Sequence, residues 1–67
     1  MLSARNQFKG TVKSVKLGTI TAEILVGVGP IEIVSVITRG SAEQMDLKVG
    51  DAVTAVIKST EVLIAKD

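Results

Sequence analysis

The sequence has no cysteine, no histidine, no tryptophan and no tyrosine, and only one phenylalanine and one proline. Each absence removes a class of explanation. Without cysteine no disulfide can hold a small fold, and no redox compartment can be read from thiol usage. Without cysteine and histidine the common ligands of zinc and the softer metals are gone, so no resident metal or structural zinc site is expected. General acid–base chemistry near neutral pH would fall to a strongly displaced carboxylate or lysine. The single Phe8 offers no series of stacking platforms for bases. Eight Lys+Arg against seven Asp+Glu leave a net charge of +1, which gives no bulk field to steer a polyanion. No charged stretch leads into a long apolar run at the N-terminus, so no signal peptide is expected. The longest nearly apolar run, Ile24 to Ile33, is interrupted by Gly27, Gly29, Pro30 and Glu32 and is too short to span a bilayer. A soluble, cytoplasmic protein without a membrane partner is expected.

What is present is aliphatic. Hydrophobic residues make up 46% of the 67 residues. That length fits one domain over residues 1–67, and a domain of this size buries only roughly 60% of its unfolded surface. With disulfides and metals set aside, the remaining support for so small a core is another copy of the chain. A homo-oligomer is the expectation.

The dominant period is two, the period of a strand. In QFKGTVKSVKL (Gln7–Leu17), Phe8, Gly10 and Val12 share a face, and Gly10 predicts a bulge or bend. In TITAEILVGV (Thr19–Val28), Ile20, Ala22, Ile24, Val26 and Val28 share another. In IEIVSVIT (Ile31–Thr38), Ile31, Ile33 and Ile37 oppose Val34 and Val36, so both faces call for cover. The intervening GVGPI predicts a hairpin; its G-x-G fragment lacks the third glycine and the following helix that a nucleotide loop needs. The rhythm breaks at RGSAEQMDLKVGD, where Ser41 and Gln44 have the spacing of a capping box and predict a short helix from Ala42 to about Leu47. AVTAVIKS (Ala52–Ser59) and EVLIAK (Glu61–Lys66) read as two further strands. The predicted architecture is all-β with one short helix between strands 3 and 4: an OB-like five-stranded Greek-key barrel, with a small sandwich as the alternative.

No enzyme is expected. Glu23, Glu32, Glu43, Asp46, Asp51 and Glu61 are scattered singly and read as solubilising residues, and no serine has a base beside it in sequence. Two clusters of hydrogen-bond donors stand out instead: SARNQ (Ser3–Gln7) and IKST (Ile57–Thr60). Each joins a cation to hydroxyls and strand-end N–H groups, and neither contains a carboxylate. Such a set only donates, so the ligand it suits is an anion made of acceptors, a deprotonated tetrahedral oxyanion. Taken singly, Arg5 and Lys58 also read as ordinary surface cations. A purely structural oligomerisation module and an OB-type nucleic-acid binder are the competing functions.

SARNQFKGTV followed some fifty residues on by AVIKSTEVLIA, with ITAEI, SVIT and SAEQMDLKVGD between, resembles the molbindins across essentially the whole chain. The resemblance implies an OB-like barrel and a homohexamer built as a trimer of dimers. It also implies binding of molybdate or tungstate between subunits, for intracellular storage and homeostasis. Carried over residue by residue, the site takes Ser3, the Ala4 N–H and Arg5 from one subunit. From its neighbour it takes Lys58 and Ser59, with Thr60 adjacent. The family has a second class of oxyanion site near the threefold axis, whose residues are not assigned on this sequence. Phe8 stands where an aliphatic residue is usual, and VGVGPIEI is shorter than the usual loop. No DNA-binding or ATP-binding segment is attached to these residues.

Overall fold

The computed structural model describes residues 4–66. Four strands, β1 (Asn6–Leu17), β2 (Thr21–Val28), β3 (Ile31–Thr38) and β4 (Ala52–Ile57), form one antiparallel sheet in the order β3-β2-β1-β4. A helix, α1 (Arg39–Gln44), lies between β3 and β4 in sequence, as expected. The core is small: Val12 of β1, Ala22, Ile24 and Val26 of β2 and Ala42 of α1 are buried, with Val15, Val28, Ile37, Leu47, Val53 and Ala55 packed partly against them. The predicted inner face of β2 is thus correct through its middle. On β3, Ile33 and Ile37 turn inward, while Val34 and Val36 stay 60% and 66% exposed on the outer face.

β1 is long because it serves two partners in succession. Asn6 to Thr11 pair with β4, and Thr11 to Leu17 pair with β2. Where the β2 pairing begins, the register slips: Val12 faces Val26 but Ser14 faces Leu25, leaving Lys13 as an extra residue. The bulge was expected at Gly10 and falls three residues later. Its effect is visible in the packing, since the extra residue lets Val12 and Val15 both approach the core although they are three apart. Gly10 has a different reason. A Cβ there would run into the Gly27 carbonyl oxygen and stand 2.9 Å from Val28 Cγ2, so only glycine lets β1 cross so near β2.

The hairpin between β2 and β3 closes through Gly29 and Pro30, with Val28 facing Ile31 and Gly29 at φ +56°, the sign that primed hairpin turns require. Helix α1 starts earlier than Ala42. Its cap is Thr38, whose Oγ1 accepts from the Ser41 N–H at 3.1 Å, so Ser41 is a first-turn residue rather than the cap. At the other end Leu47 N–H reaches the Ala42 carbonyl at 3.2 Å and Asp46 N–H the Glu43 carbonyl at 3.0 Å, with Asp46 at φ +51°. This paired closure ends the helix before Leu47. The chain then returns to β1, where Gly50 N–H donates to Val12 O and Val12 N–H to Asp51 O, both at 2.9 Å.

The fifth strand expected over Glu61–Lys66 is not formed. Ser59–Glu61 make a single 3-10 turn, η1, and the residues after it pair with no strand. Val62 is extended at φ −95°, ψ 121°, but Leu63 and Ile64 are 92% and 90% exposed. Alternation and branched side chains favour an extended backbone, yet a strand also needs an edge to pair with. The η1 turn follows directly on β4 and no described strand receives the segment beyond it. In one chain, the five-stranded barrel is therefore a four-stranded sheet.

Candidate functional site

Cross-strand register positions the two donor clusters. Along the β1–β4 ladder Lys9 faces Thr54, Phe8 faces Ala55, Gln7 faces Val56 and Asn6 faces Ile57, which is its outermost pair. The residues that follow this pair in sequence, Arg5 before β1 and Lys58 after β4, lie outside the ladder, Lys58 as the cap of the turn η1 that begins at Ser59. Facing residues of an antiparallel pair share a side of the sheet. The two sequence clusters thus flank the same end of the β1–β4 ladder. Arg5, Lys58, Ser59 and Thr60 are exposed and Ala4 is half-buried. Ser3, the remaining expected donor, lies outside the described residues.

The turn that follows β4 adds backbone donors. Within η1 the Glu61 N–H bonds the Lys58 carbonyl at 2.8 Å, and Lys58 itself makes no side-chain cap. The first N–H groups of such a turn, those of Ser59 and Thr60, have no acceptor inside it. Among the described residues the side chains of Arg5, Lys58, Ser59 and Thr60 enter no hydrogen bond or ion pair. The ion pairs that do form lie elsewhere, Arg39 with Glu43 at 3.5 Å on the helix and Lys48 with Asp46 at 3.0 Å in the loop after it. The sheet end is thus left with cations, hydroxyls and N–H groups whose donor capacity is unspent. Adjacent like charges raise each other's energy, and an acceptor-only dianion between them reverses the sign of that interaction.

A neighbouring residue went without a role in the sequence-based reading. Gln7 donates from Nε2 to the Ala4 carbonyl at 3.0 Å, closing a loop over the start of β1. The signal was its presence three residues after Ala4 in SARNQ, which a sequence shows without indicating that the side chain folds back. The largest groove described lies elsewhere and is chemically distinct from the donor clusters. This groove of about 550 Å³ is bordered by Ile33, Val34, Met45, Leu47, Val53 and Val56, from both outer strands of the sheet and the segment after α1. Its apolar walls suit side chains, not a dianion.

Comparison with known proteins agrees with this fold. The TOBE domain family model matches residues 2–64. Molybdenum-pterin-binding protein 1 of Clostridium pasteurianum is 48% identical over 64 residues, covering 94% of each chain. The structure of a molybdate-binding protein from Sporomusa ovata superposes with a TM-score of 0.94 at 39% identity, over 98% of both chains. The cytoplasmic molybdate-binding protein ModG, solved with molybdate bound, superposes with a TM-score of 0.83 at 38% identity, over 88% of this chain and 43% of that one. These relatives are named as binding proteins, and the match runs through both donor clusters and the strands between them: the chain belongs to the TOBE domain family, within its molbindin branch.

Proposed function

We propose that this protein binds molybdate as an intact oxyanion at the shared end of β1 and β4, and holds it for storage and homeostasis. The observation that supports the reading is that Arg5 and Lys58 follow directly on the outermost Asn6–Ile57 pair of the ladder, with side chains that no described acceptor occupies. Arg5 and Lys58 supply charge-assisted hydrogen bonds, and Ser3, Ser59 and Thr60 with the N–H groups from Ala4 onward take the remaining oxygens. Tungstate has the same charge and acceptor pattern and is proposed as an equivalent guest. A flat pterin is favoured by stacking between aromatic faces, and the sequence holds a single aromatic side chain, the partly exposed Phe8. No group in the proposed site is set up for proton transfer, so the anion is cargo and the protein is not an enzyme.

One sheet end covers one side of a tetrahedral anion. Enclosure is proposed to come from a second copy, with Ser3, Ala4 and Arg5 of one chain opposite Lys58, Ser59 and Thr60 of its neighbour, in a homohexamer arranged as a trimer of dimers. The exposed Leu63 and Ile64 and the apolar groove between the outer strands support self-association, because a lone chain leaves both open to water. Closure of the open sheet into a barrel is proposed as a property of that assembly. Residues 1–67 act as one binding unit, and the cytoplasmic setting described for ModG is proposed here too.

Native mass spectrometry with and without molybdate counts subunits and bound anions together. Calorimetry with molybdate, tungstate, sulfate and phosphate ranks the guests. Tight binding of the two metal oxyanions over sulfate and phosphate is expected; absence of binding by any of the four would favour a purely structural module.

A further inference from the structure

We infer that Gln7 is a positioning residue for the oxyanion site, acting through the Ala4–Arg5 peptide rather than by touching the anion. This rests on the molybdate reading above and deepens it. Gln7 Nε2 donates to the Ala4 carbonyl at 3.0 Å, and this is the only side-chain hydrogen bond made by residues 4–10 among the described residues. Those residues need such a tie. From Asn6 to Gly10 the strand pairs on one side only, with β4, since pairing with β2 begins at Thr11. Ala4 and Arg5 lie beyond even that ladder.

The chemistry follows from the geometry of a peptide plane. No peptide bond among the described residues is cis, so the Ala4 carbonyl and the Arg5 N–H, which belong to one planar unit, point in opposite directions. Holding the carbonyl on the Gln7 side sends the N–H to the other. A carbonyl turned into a site for a dianion would repel the guest, whereas an N–H turned there donates to it. Gln7 therefore removes an acceptor from an all-donor site and fixes a donor in its place. The Arg5 N–H is available for this, because Arg5 lies outside the β4 ladder and its N–H has no backbone acceptor among the described residues. Molybdate and sulfate accept in the same tetrahedral pattern and differ in size. A fixed N–H senses that difference, and a mobile one follows either anion. Gln7 thus governs selectivity as well as affinity.

The test compares full-length protein with Gln7→Met, which keeps an unbranched side chain and loses the donor, and with Gln7→Lys, which restores a donor long enough to reach the carbonyl. Calorimetry is run with molybdate and with sulfate, and the Arg5 amide is followed by proton–nitrogen NMR. Gln7 is exposed, so unfolding of the anion-free Gln7→Met protein is expected to match the parent. Its molybdate affinity is expected to fall about ten-fold, the scale of one hydrogen bond to a charged group. Its molybdate-to-sulfate ratio should fall too, and the downfield shift of the Arg5 amide proton on molybdate addition should be lost. Gln7→Lys is expected to recover the ratio and the shift; its added charge alone would raise both affinities without recovering the ratio. A parent protein that binds no molybdate overturns the functional reading and this inference together. A parent that binds, with Gln7→Met binding equally well or losing both anions in equal proportion, overturns the role of Gln7 alone.

Discussion

Asn6 and Ile57 face each other as the outermost pair of the β1–β4 ladder, and that pair decides what stands next to what at the edge of the molecule. Register is stepwise, and the ladder that seats Gly10 opposite Val53 ends with Arg5 and Lys58 as the next residues in sequence on its two sides. Both strands pack the core through their inner face, β1 with Val12 and Val15 and β4 with Val53 and Ala55.

The first prediction concerns the two cations. Arg5→Ala and Lys58→Ala are each expected to weaken molybdate binding by about ten-fold or more, since each removes a charge-assisted hydrogen bond worth roughly 1.5–3 kcal/mol. Both residues are exposed, and unfolding in the absence of anion should be unchanged. Calorimetry and thermal denaturation on the same samples check both halves. Mixing the two variants after dissociation should restore a fraction of the sites if each site draws its halves from two chains. No restoration would show that one ribbon end forms the site alone.

Gly10→Ala tests the crossing of β1 over β2. The new methyl would press on the Gly27 carbonyl and the Val28 side chain, and backbone cannot move aside as a flexible side chain does. A loss of about 2 kcal/mol or more in urea unfolding is expected, toward the upper end for overpacking. Gly40→Ala is the control, because a Cβ there meets nothing within 4 Å.

Much of the fold was legible because its signals are local. The alternation of Ile33 and Ile37 against Val34 and Val36 gave β3 its bounds, and Gly29–Pro30 marked the turn before it. The misreadings came where distant pairing decides. Thr38 and Ser41 are both capping residues, and Ser41 with Gln44 had the better local pattern. The choice of Thr38 goes with the preceding contact, in which Arg39 N–H bonds the Ile20 carbonyl at 2.8 Å across the sheet end. The slip at Lys13 left only the three-residue spacing of Val12 and Val15 as a trace. Residues Glu61–Lys66 have strand composition but pair with no described strand of their own chain, because pairing is decided by residues far away in sequence. For the site, the donor types could be read from SARNQ and IKST, but their alignment in one ribbon depends on the β1–β4 register, which no short segment encodes.

The helix cap gives a graded comparison. Thr38→Val removes the acceptor of the Ser41 N–H and is expected to cost about 1 kcal/mol. Ser41→Ala loses only the hydroxyl partner of Thr38, a contact of 2.8 Å at an exposed position, and should cost much less. Denaturant unfolding that ranked the two the other way would restore Ser41 as the cap.

The loop after α1 sets a pH response. The hydrogen bond and negative charge of Asp46 raise the Lys48 ammonium above its ordinary 10.5. A group whose pKa is higher folded than unfolded stabilises the fold fully below its unfolded value, and loses that contribution as pH rises through the folded value. Unfolding temperature should therefore be insensitive to Lys48→Met near neutrality beyond a constant offset. The parent should decline more steeply than the variant only above about pH 10, where lysines titrate. The pair is solvent-exposed, so added salt should shrink the difference.

The last prediction joins assembly to binding. Leu63 and Ile64 are 92% and 90% exposed in one chain, while an apolar groove stands open between the outer strands. Replacing Leu63 with Asp and Ile64 with Lys adds no net charge but makes both positions unfit for an apolar contact. Sedimentation velocity is expected to show the parent as an oligomer and the double variant as a smaller species with its circular dichroism retained. Because a guest that bridges two chains stabilises their association by mass action, molybdate should shift the parent toward the assembled state at low protein concentration. The double variant keeps every proposed donor, from Ala4 and Arg5 to Thr60. If the anion is enclosed only between copies, its affinity for molybdate should nevertheless fall along with its ability to assemble; undiminished binding by a dissociated chain would place the whole site within one protomer.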